Sequence, residues 1–346
     1  MPTRHRAPAF SPSQYHLQWL DAHPPKLGYR GGDAKRWQAR LRQKFRALLK
    51  LPEGPKPPLA PRTLWTREHE LGRIEKIVYR SEPGADVPAY VCLPRNAQPP
   101  YAWFVCLQGH TTGMHLSIGV DREDESKPFA PEGDRDFALG CLKRGFAALC
   151  IEQRGFGERA ERALASPVKQ TCHQAAMSSA MLGRTLLGER VYDIERGLDY
   201  LWTRGDVDRS RVGVMGNSGG GTASICAAAV LPRITHAMPS CSFCTYREAW
   251  LAIHHCACSY IPGVLEWAEY ADVLGLIAPR PCVVVAGAVD PISPLPAVRK
   301  AFRDAKRIWK ALGAERKVKL VVGPDGHRFY AELAWPAMEG LLRAGR

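Results

Sequence analysis

Short apolar runs alternate along the chain with longer segments in which apolar residues recur every three or four positions. The short runs are typical of strands, and the recurring spacing is typical of helices that bury one face. The predicted strands are Gly72–Arg80, Val87–Pro94, Ala102–Leu107, Phe146–Glu152, Arg211–Met215, Pro281–Ala286 and Val318–Val322, with a strand-like stretch at Ile234–Pro239. The predicted helices are Arg135–Arg144, Gln174–Thr203, Gly219–Val230, Pro296–Leu312 and Arg328–Ala344.

The order of these elements predicts the fold class. The turn-like segment Glu82–Asp86 joins the first two strands and indicates an antiparallel pair, after which strands and helices alternate. Such alternation predicts an α/β protein with a mostly parallel sheet and helices on both faces. Because parallel sheets bind ligands at the carboxyl ends of their strands, the loops after the strands are where chemistry is expected.

Residues 1–62 are predicted to form a basic helical extension with a proline-rich linker, followed by one catalytic domain at 63–346. Asp33 can cap a helix, and Pro52 ends it. The apolar face of this helix consists of Trp37, Leu41, Phe45 and Leu48. Four prolines between 55 and 61 make the linker stiff.

The net charge of +14 over 346 residues suggests an anionic partner such as nucleic acid or a membrane surface. However, residues 1–80 contain 17 Lys and Arg against 6 Asp and Glu, whereas the remainder contains 31 against 28. Because the excess is largely N-terminal and no nucleic-acid motif accompanies it, a solvated basic face on a docked helix is favoured. We therefore expect a small-molecule ester as partner, no nucleic acid and no membrane, and we leave a homo-oligomer open.

The 11 cysteines and the N-terminal sequence predict the compartment. Most cysteines lie inside apolar runs, which indicates buried thiols rather than a disulfide framework. The first 20 residues lack the apolar core of a secretion signal, and no apolar stretch is long enough to span a bilayer. We expect a cytoplasmic protein.

The strongest motif is Gly216-Asn217-Ser218-Gly219-Gly220, between a predicted strand and a small-residue helix. In a nucleophile elbow, the chain turns so sharply after the strand that larger residues beside the serine would collide with neighbouring backbone. A phosphate-binding loop is the alternative, but the segment lacks the lysine of a P-loop and the spacing of a dinucleotide fingerprint. The motif predicts that Ser218 is a nucleophile.

A serine nucleophile needs a base and an acid that orients the base. His327 is the only histidine after the strand at 281–286, and it lies in a turn-rich loop directly after the last predicted strand. Asp290 ends the loop after the preceding strand. Asp325 is the rival acid, but it lies two residues from the base, whereas the acid of such a triad comes from a different strand end. We predict a triad of Ser218, Asp290 and His327.

An oxyanion hole needs two N–H groups directed at the developing negative charge. The backbone of Gly219, directly after the nucleophile, is predicted to supply one. The backbone of His110, in the loop after the strand that ends at Leu107, is predicted to supply the other.

Together, these segments resemble the α/β-hydrolase superfamily over about residues 70–346. The elbow, Gln108-Gly109-His110, Cys150–Glu158, Leu276–Pro281, His255–Gly263 and the ordered Asp290 and His327 are most similar to the esterase branch that includes acetyl xylan esterases, cephalosporin-C deacetylases and dienelactone hydrolases. The resemblance implies hydrolysis of a carboxylic ester through an acyl-serine intermediate, without metal or cofactor. The sequence departs from these relatives in having Ser218 where dienelactone hydrolases have Cys, Gly219 where the deacetylase-type esterases have Gln, and Gln108 where His is usual.

Five further residues are predicted to line the pocket: Gln108, Arg154, His255, Cys256 and Tyr260. An alternative for part of this set is a zinc site formed by Cys241, Cys244, His254, His255, Cys256 and Cys258. We favour buried thiols that wall the pocket, because the spacing of Cys256 and Cys258 is tighter than that of an ordinary zinc-ligand pair. No metal ligand and no cofactor are predicted.

Three function classes remain open at this point. The first is a serine hydrolase acting on carboxylic esters, with small acyl or acetyl esters favoured. The second is a prolyl-type serine peptidase, which shares the triad but has a large N-terminal domain such as a propeller, for which the N-terminal segment is too short. The third is a non-catalytic binding protein of the same fold, whose usual mark is a missing triad member.

Overall fold

A computed structural model of the chain describes residues 10–161 and 171–344, and its centre is one nine-stranded sheet. The strands are β1 Arg62–His69, β2 Gly72–Glu82, β3 Ala85–Pro94, β4 Tyr101–Leu107, β5 Ala147–Ile151, β6 Val207–Asn217, β7 His236–Ser240, β8 Cys282–Gly287 and β9 Val318–Gly323. Their order across the sheet is β1-β2-β3-β5-β4-β6-β7-β8-β9.

The sheet is antiparallel at one edge and parallel elsewhere. The pairs β1–β2, β2–β3 and β3–β5 are antiparallel, whereas every neighbouring pair from β5 to β9 is parallel. Each predicted strand is present with ends shifted by a few residues. The edge strand β1 was not predicted, because most of its side chains are exposed and carry no apolar pattern.

The helices are α1 Pro12–Ala22, α2 Ala34–Leu49, α3 Phe137–Leu142, α4 Thr171–Met181, α5 Leu186–Thr203, α6 Gly219–Val230, α7 Tyr270–Gly275, α8 Leu295–Ala311 and α9 Ala331–Arg343. The predicted bounds of α6 agree with the structure, and those of α8 differ by one residue at each end. The sequence pattern predicted neither α1 nor the six-residue α7.

The long helix predicted at Gln174–Thr203 is wrong, because the segment forms two helices, α4 and α5. Gly183 has φ of +73° and interrupts the helical path, a conformation that glycine adopts without steric cost. The hydroxyl of Thr185 then accepts a hydrogen bond from the Gly188 N–H at 2.9 Å and caps α5. The sequence pattern did not reveal this break, because apolar residues recur on both sides of Gly183.

Helices cover both faces of the sheet, which confirms the predicted α/β architecture. Along β4, Trp103, Val105 and Leu107 face a core that also contains side chains of α2, α5, α6, α7 and α8. The intervening residues Phe104 and Cys106 face a second core, formed with α3 and α9. No helix in the described residues is long and apolar enough to cross a lipid bilayer.

Helix α2 of the N-terminal extension is part of the first core. The Asp33 carboxylate accepts a hydrogen bond from the Arg36 N–H at 3.0 Å, so the predicted cap is present. Leu41 and Phe45 are fully buried in that core. Helix α2 is also hydrogen-bonded to the segment at the end of α7. The side-chain amide of Gln38 donates to two backbone carbonyls there.

Candidate active site

Ser218 lies at a sharp turn between β6 and α6. Its backbone has φ of +57° and ψ of −123°, a strained conformation for a residue with a side chain. A Cβ atom at Gly216 would lie 2.6 Å from the backbone of Gly220, and one at Gly220 would overlap the carbonyl oxygen of Leu107. These close approaches explain why glycine stands on both sides of the elbow. Asn217 is buried as the last residue of β6.

His327 and Asp290 come together from the loops after β9 and β8. His327 Nδ1 lies 2.9 Å from an Asp290 carboxylate oxygen, and the other Asp290 oxygen accepts the Ile292 N–H at 2.9 Å. Burial raises the pKa of Asp290, but the hydrogen bond and positive charge of His327 outweigh it, so that the pKa lies below its ordinary value. Asp290 can therefore fix the tautomer of His327 and stabilise its charged form.

His327 lines the same cavity as Ser218. Nε2 is buried and has no hydrogen-bond partner among the residues that the structure describes. A buried polar nitrogen without a partner is costly, and such atoms are found where a substrate or a reacting group completes the site.

The rival acid, Asp325, lies apart from the triad. Its side chain is 65% exposed, and its nearest ion-pair partner is Arg328 at 3.9 Å. Asp325 therefore contacts solvent, while the fully buried side chain of Asp290 contacts the His327 ring.

The two predicted oxyanion donors lie beside the nucleophile. A Cβ atom at Gly109 would lie 3.1 Å from the Cβ of Ser218, which places the His110 loop directly against the elbow. In the described part of the chain, neither the His110 nor the Gly219 N–H donates to a backbone or side-chain acceptor. Both donors are thus free to bind a negatively charged oxygen.

The His110 ring explains why glycine follows the nucleophile. A Cβ atom at Gly219 would lie 2.8 Å from Cε1 and 3.0 Å from Nδ1 of this ring. Any larger residue at 219 would displace the ring. The sequence difference from esterases that carry Gln at this point therefore has a steric cause in this chain.

Ser218 and His327 line a cavity of about 470 Å³. Its charged and titratable lining residues are basic or neutral: Arg122, Arg135, His110, His254, His255 and His327, with Cys172 and Cys256 beside them. No Asp or Glu is found among the described residues that line it. The cavity therefore presents positive charge and hydrogen-bond donors to a ligand.

A group of three thiols and one imidazole adjoins the cavity. His110 Nε2 lies 3.0 Å from Cys258 Sγ, and Cys172 Sγ lies 3.2 Å from Cys256 Sγ. Burial lowers the pKa of His110, but hydrogen bonds with Cys256 and Cys258 raise it to about 9. Hydrogen bonds from Cys172 and Cys256 lower the pKa of the Cys258 thiol well below its usual value.

The zinc set considered from the sequence is only partly brought together. Cys256 and Cys258 belong to the cluster, whereas Cys244 is buried elsewhere in the first core. Cys241 lies beside Asp290 and His327 instead, where it influences the pKa of Asp290.

Of the five predicted pocket-wall residues, His255 and Cys256 line the cavity. The other three predictions are corrected by the structure. Gln108 is buried, and its side-chain amide donates to the Ser117 hydroxyl and to the Arg135 carbonyl. Tyr260 is 42% exposed and donates to the Trp250 carbonyl.

Arg154 lies in a buried ion-pair cluster rather than at the pocket wall. Its guanidinium contacts Asp193 at 2.8 Å, Glu82 at 2.7 Å and Glu189 at 3.1 Å. Three carboxylates around one buried cation satisfy its charge, so Arg154 has no need of an anionic substrate.

Among the cavity residues that the sequence did not identify, three have a charged or thiol side chain: Arg122, Arg135 and Cys172. Arg122 and Arg135 lie in the long connection between β4 and α3, in which no motif marks a ligand-binding role. Cys172 lies in α4, 84 residues before Cys256. Only packing brings these residues to the nucleophile.

An α/β-hydrolase fold has a mostly parallel sheet, a serine at a sharp turn between a strand and a helix, and an acid and a histidine in loops after later strands. This chain has such a sheet, with Ser218 between β6 and α6, Asp290 after β8 and His327 after β9. The sequence profile of the Abhydrolase family matches residues 25–308, and the chain belongs to this family. The superfamily resemblance inferred from the sequence is thereby confirmed, and the match includes α2.

Known proteins of similar sequence or structure agree with this placement. The chain is 26% identical over 291 residues to the Bacillus subtilis (strain 168) protein named "Putative hydrolase YtaP", covering 83% of this chain and 93% of that protein. A Bacteroides fragilis structure described as a "putative acetyl xylan esterase" has a TM-score of 0.75 at 18% identity, covering 93% and 84% of the two chains. A glucuronoyl esterase from Solibacter usitatus has a TM-score of 0.65 at 16% identity, covering 98% of each chain.

Proposed function

We propose that this chain is a serine hydrolase that cleaves a carboxylic ester. The observation that carries the proposal is the strained backbone of Ser218 in a cavity that His327 also lines, together with the buried Nε2 of His327, which has no partner in the described part of the chain. Asp290, bonded to the opposite nitrogen of that ring, completes the acid–base–nucleophile set that acyl transfer requires. A binding protein of this fold has no need to keep all three groups.

In the proposed mechanism, His327 acts first as a base and then as an acid in each half-reaction. His327 Nε2 takes the proton of the Ser218 hydroxyl as the oxygen attacks the ester carbonyl, and the N–H groups of Gly219 and His110 bind the resulting oxyanion. Collapse of the tetrahedral intermediate transfers the proton to the leaving alcohol and leaves an acyl-serine. Water, deprotonated by His327, then releases the acid and restores the enzyme.

The cavity favours a small acyl group on a polar alcohol. Its volume of about 470 Å³ is at the lower part of the range of ligand pockets. Arg122 and Arg135 offer charged donors to hydroxyl or carboxylate groups of the ligand. The names of the structural neighbours, an acetyl xylan esterase and glucuronoyl esterases, are consistent with an ester of a sugar, of which acetyl esters are the favoured class.

Ser218→Ala tests the proposal. We expect hydrolysis of p-nitrophenyl acetate to fall by about 10⁴-fold or more, and labelling by a fluorophosphonate to be lost, because the nucleophile is gone. Ser210→Ala, which changes an exposed serine, is the matched control and should retain both. Hydrolysis that survives in Ser218→Ala, or a fluorophosphonate adduct on another residue, would contradict the assignment.

A substrate series then distinguishes the chemical classes. We expect acetyl and propionyl esters to be cleaved faster than octanoyl esters, and acetylated sugars to be substrates. A methyl ester of glucuronic acid tests the alternative in which the sugar supplies the acid. Faster cleavage of a prolyl amide than of any of these esters would favour the peptidase instead.

A further inference from the structure

Four soft or nitrogen-donor side chains converge at the inner end of the cavity from three distant segments. His110 comes from the oxyanion loop after β4, Cys172 from α4, and Cys256 and Cys258 from the long connection between β7 and α7. One donor atom from each residue lies within 4.8 Å of all the others. Cys172 and Cys258 are buried, while the other two are partly exposed at the cavity wall.

The distances between the four donor atoms are on the scale of one coordination sphere. The Cys172 and Cys256 sulfurs lie 3.2 Å apart, far longer than the 2.05 Å or so of a disulfide. The spacing is also tighter than a relaxed non-bonded contact. Two thiolates on a tetrahedral zinc ion, with bonds of about 2.3 Å, lie about 3.8 Å apart. The four donors thus cluster on the scale of one coordination sphere.

A buried arginine supplies a second, independent indication that this cluster is anionic. Arg190 is 1% exposed, and among the described residues no carboxylate forms an ion pair with it. Its Nε and one terminal nitrogen donate to the Arg154 carbonyl, and the remaining terminal nitrogen donates to Cys258 Sγ at 3.2 Å. A buried guanidinium needs a nearby negative charge, and thiolates are the groups here that can carry it.

We propose that His110, Cys172, Cys256 and Cys258 bind a zinc ion. Three thiolates and one imidazole are a ligand set that zinc prefers, and the charges of three thiolates, a divalent ion and Arg190 sum to zero. Four protein ligands leave no position for substrate, so the ion has a structural role. Binding releases the remaining thiol protons and frees His110 Nε2 for coordination.

The site explains how the oxyanion loop is held in place. His110 would coordinate through Nε2, while its ring packs on Gly219 and its backbone N–H is one of the two proposed oxyanion donors. The ion would tie this loop to α4 and to the 256–258 turn. His110 is therefore a positioning residue for the reaction as well as a ligand. This consequence for activity rests on the proposed function, whereas metal binding itself does not.

The test is the metal content of the full chain, purified with any affinity tag removed and without chelator. We expect about one zinc ion per chain in the unaltered protein, and a loss of about tenfold or more in Cys172→Ser and in Cys256→Ser. Cys244→Ser is the matched control, since this cysteine is buried outside the cluster and belongs to the rival set inferred from the sequence. It should retain the metal, as should Ser218→Ala.

Spectroscopy and kinetics supply further readouts. Cobalt substituted for zinc should give the charge-transfer and d–d bands of a tetrahedral thiolate site, which Cys172→Ser should alter. Removal of the ion should lower kcat with a smaller change in KM, and added zinc should restore it, because the oxyanion is bound most strongly in the transition state. This split would not follow from a general loss of folding.

Two results would overturn the proposal. One is a protein from zinc-supplemented cells that contains no stoichiometric metal and titrates with all three thiols free. The other is a Cys172–Cys256 disulfide, found by mass spectrometry of alkylated, unreduced peptides, which would make the pair a redox couple. Because Ser218 labelling is measured separately, a metal-free but active esterase would refute the metal site and leave the proposed function intact.

Discussion

At the scale of single residues, the proposed reaction depends on geometry that a few atoms impose. The elbow places Ser218 in a strained conformation, and Gly109 and Gly219 admit the loop and ring that complete its surroundings. Asp290 and His327 lie within hydrogen-bond distance because each belongs to the loop after one of two neighbouring parallel strands, β8 and β9. The elbow itself could be predicted from local sequence, because its steric constraints concern near neighbours. Asp290 and His327 were predicted instead from their order along the chain, each in the loop after a predicted strand.

The choice between the two candidate acids yields a prediction. Asp290→Asn should lower kcat for p-nitrophenyl acetate by about 10³- to 10⁴-fold, because the amide neither stabilises the imidazolium nor enforces the tautomer of His327. Asp325→Asn, on the same loop as His327 but exposed, should stay within about twofold of the unaltered enzyme. Comparable losses in the two variants would show that Asp290 is not the sole acid.

At the scale of elements, α2 is held by polar contacts as well as by its apolar face. Gln38 is buried, and its amide nitrogen donates to the carbonyls of Gly275 and Ala278, both at 2.8 Å. Arg42 donates to the carbonyls of Ala229 and Leu276. The spacing of apolar residues along α2 predicted a docked helix. It did not predict these hydrogen bonds, because the acceptor carbonyls belong to residues between 187 and 240 positions further along the chain.

Gln38→Ala is therefore expected to destabilise the whole protein. Alanine favours the helix more than glutamine, yet the change leaves buried carbonyl groups with fewer partners, at a cost of about 2 kcal/mol. Urea unfolding measures the difference. Gln43→Ala, at an exposed position of the same helix, isolates the helix-propensity effect and should be neutral or slightly stabilising. Equal stability of the two variants would mean that these bonds contribute nothing to docking.

At the scale of the whole molecule, a buried ion-pair cluster joins parts of the chain that are distant in sequence. Asp193 on α5 accepts hydrogen bonds from Arg154 at 2.9 and 2.8 Å and from Arg159 at 2.6 Å. Burial raises the pKa of Asp193, but the two arginines outweigh burial and lower the pKa to about 2. Glu82 and Glu189 extend the cluster to the β2–β3 turn and to the first turn of α5.

Asp193 gives the stability of the protein a predictable pH dependence. Because its folded pKa of about 2 is below the unfolded value of about 3.9, its contribution is present above about pH 4 and is lost as pH falls toward 2. Asp193→Asn should lower the free energy of unfolding by about 3–5 kcal/mol at pH 7, since two arginines lose a buried partner.

Urea unfolding at several pH values checks this expectation. The difference between Asp193→Asn and the unaltered protein should narrow below pH 4, whereas Asp304→Asn, at an exposed position on α8, should cost little at neutral pH. A difference that stays constant from pH 7 to pH 3 would argue against the ionised form as the source of stability.

The sequence by itself determined the class of fold, the strands from β2 to β9, the elbow and the residues proposed as the triad. The strands and the elbow depend on periodic burial and on close steric contacts within a few residues, which local sequence encodes directly. The proposed acid and histidine were recognised by their order after successive strands. Tertiary structure alone decided that Arg154 is buried among carboxylates and that Cys172 meets His110 and Cys256. Those outcomes depend on which distant surfaces pack together, and no local pattern specifies the partner of a buried charge or thiol.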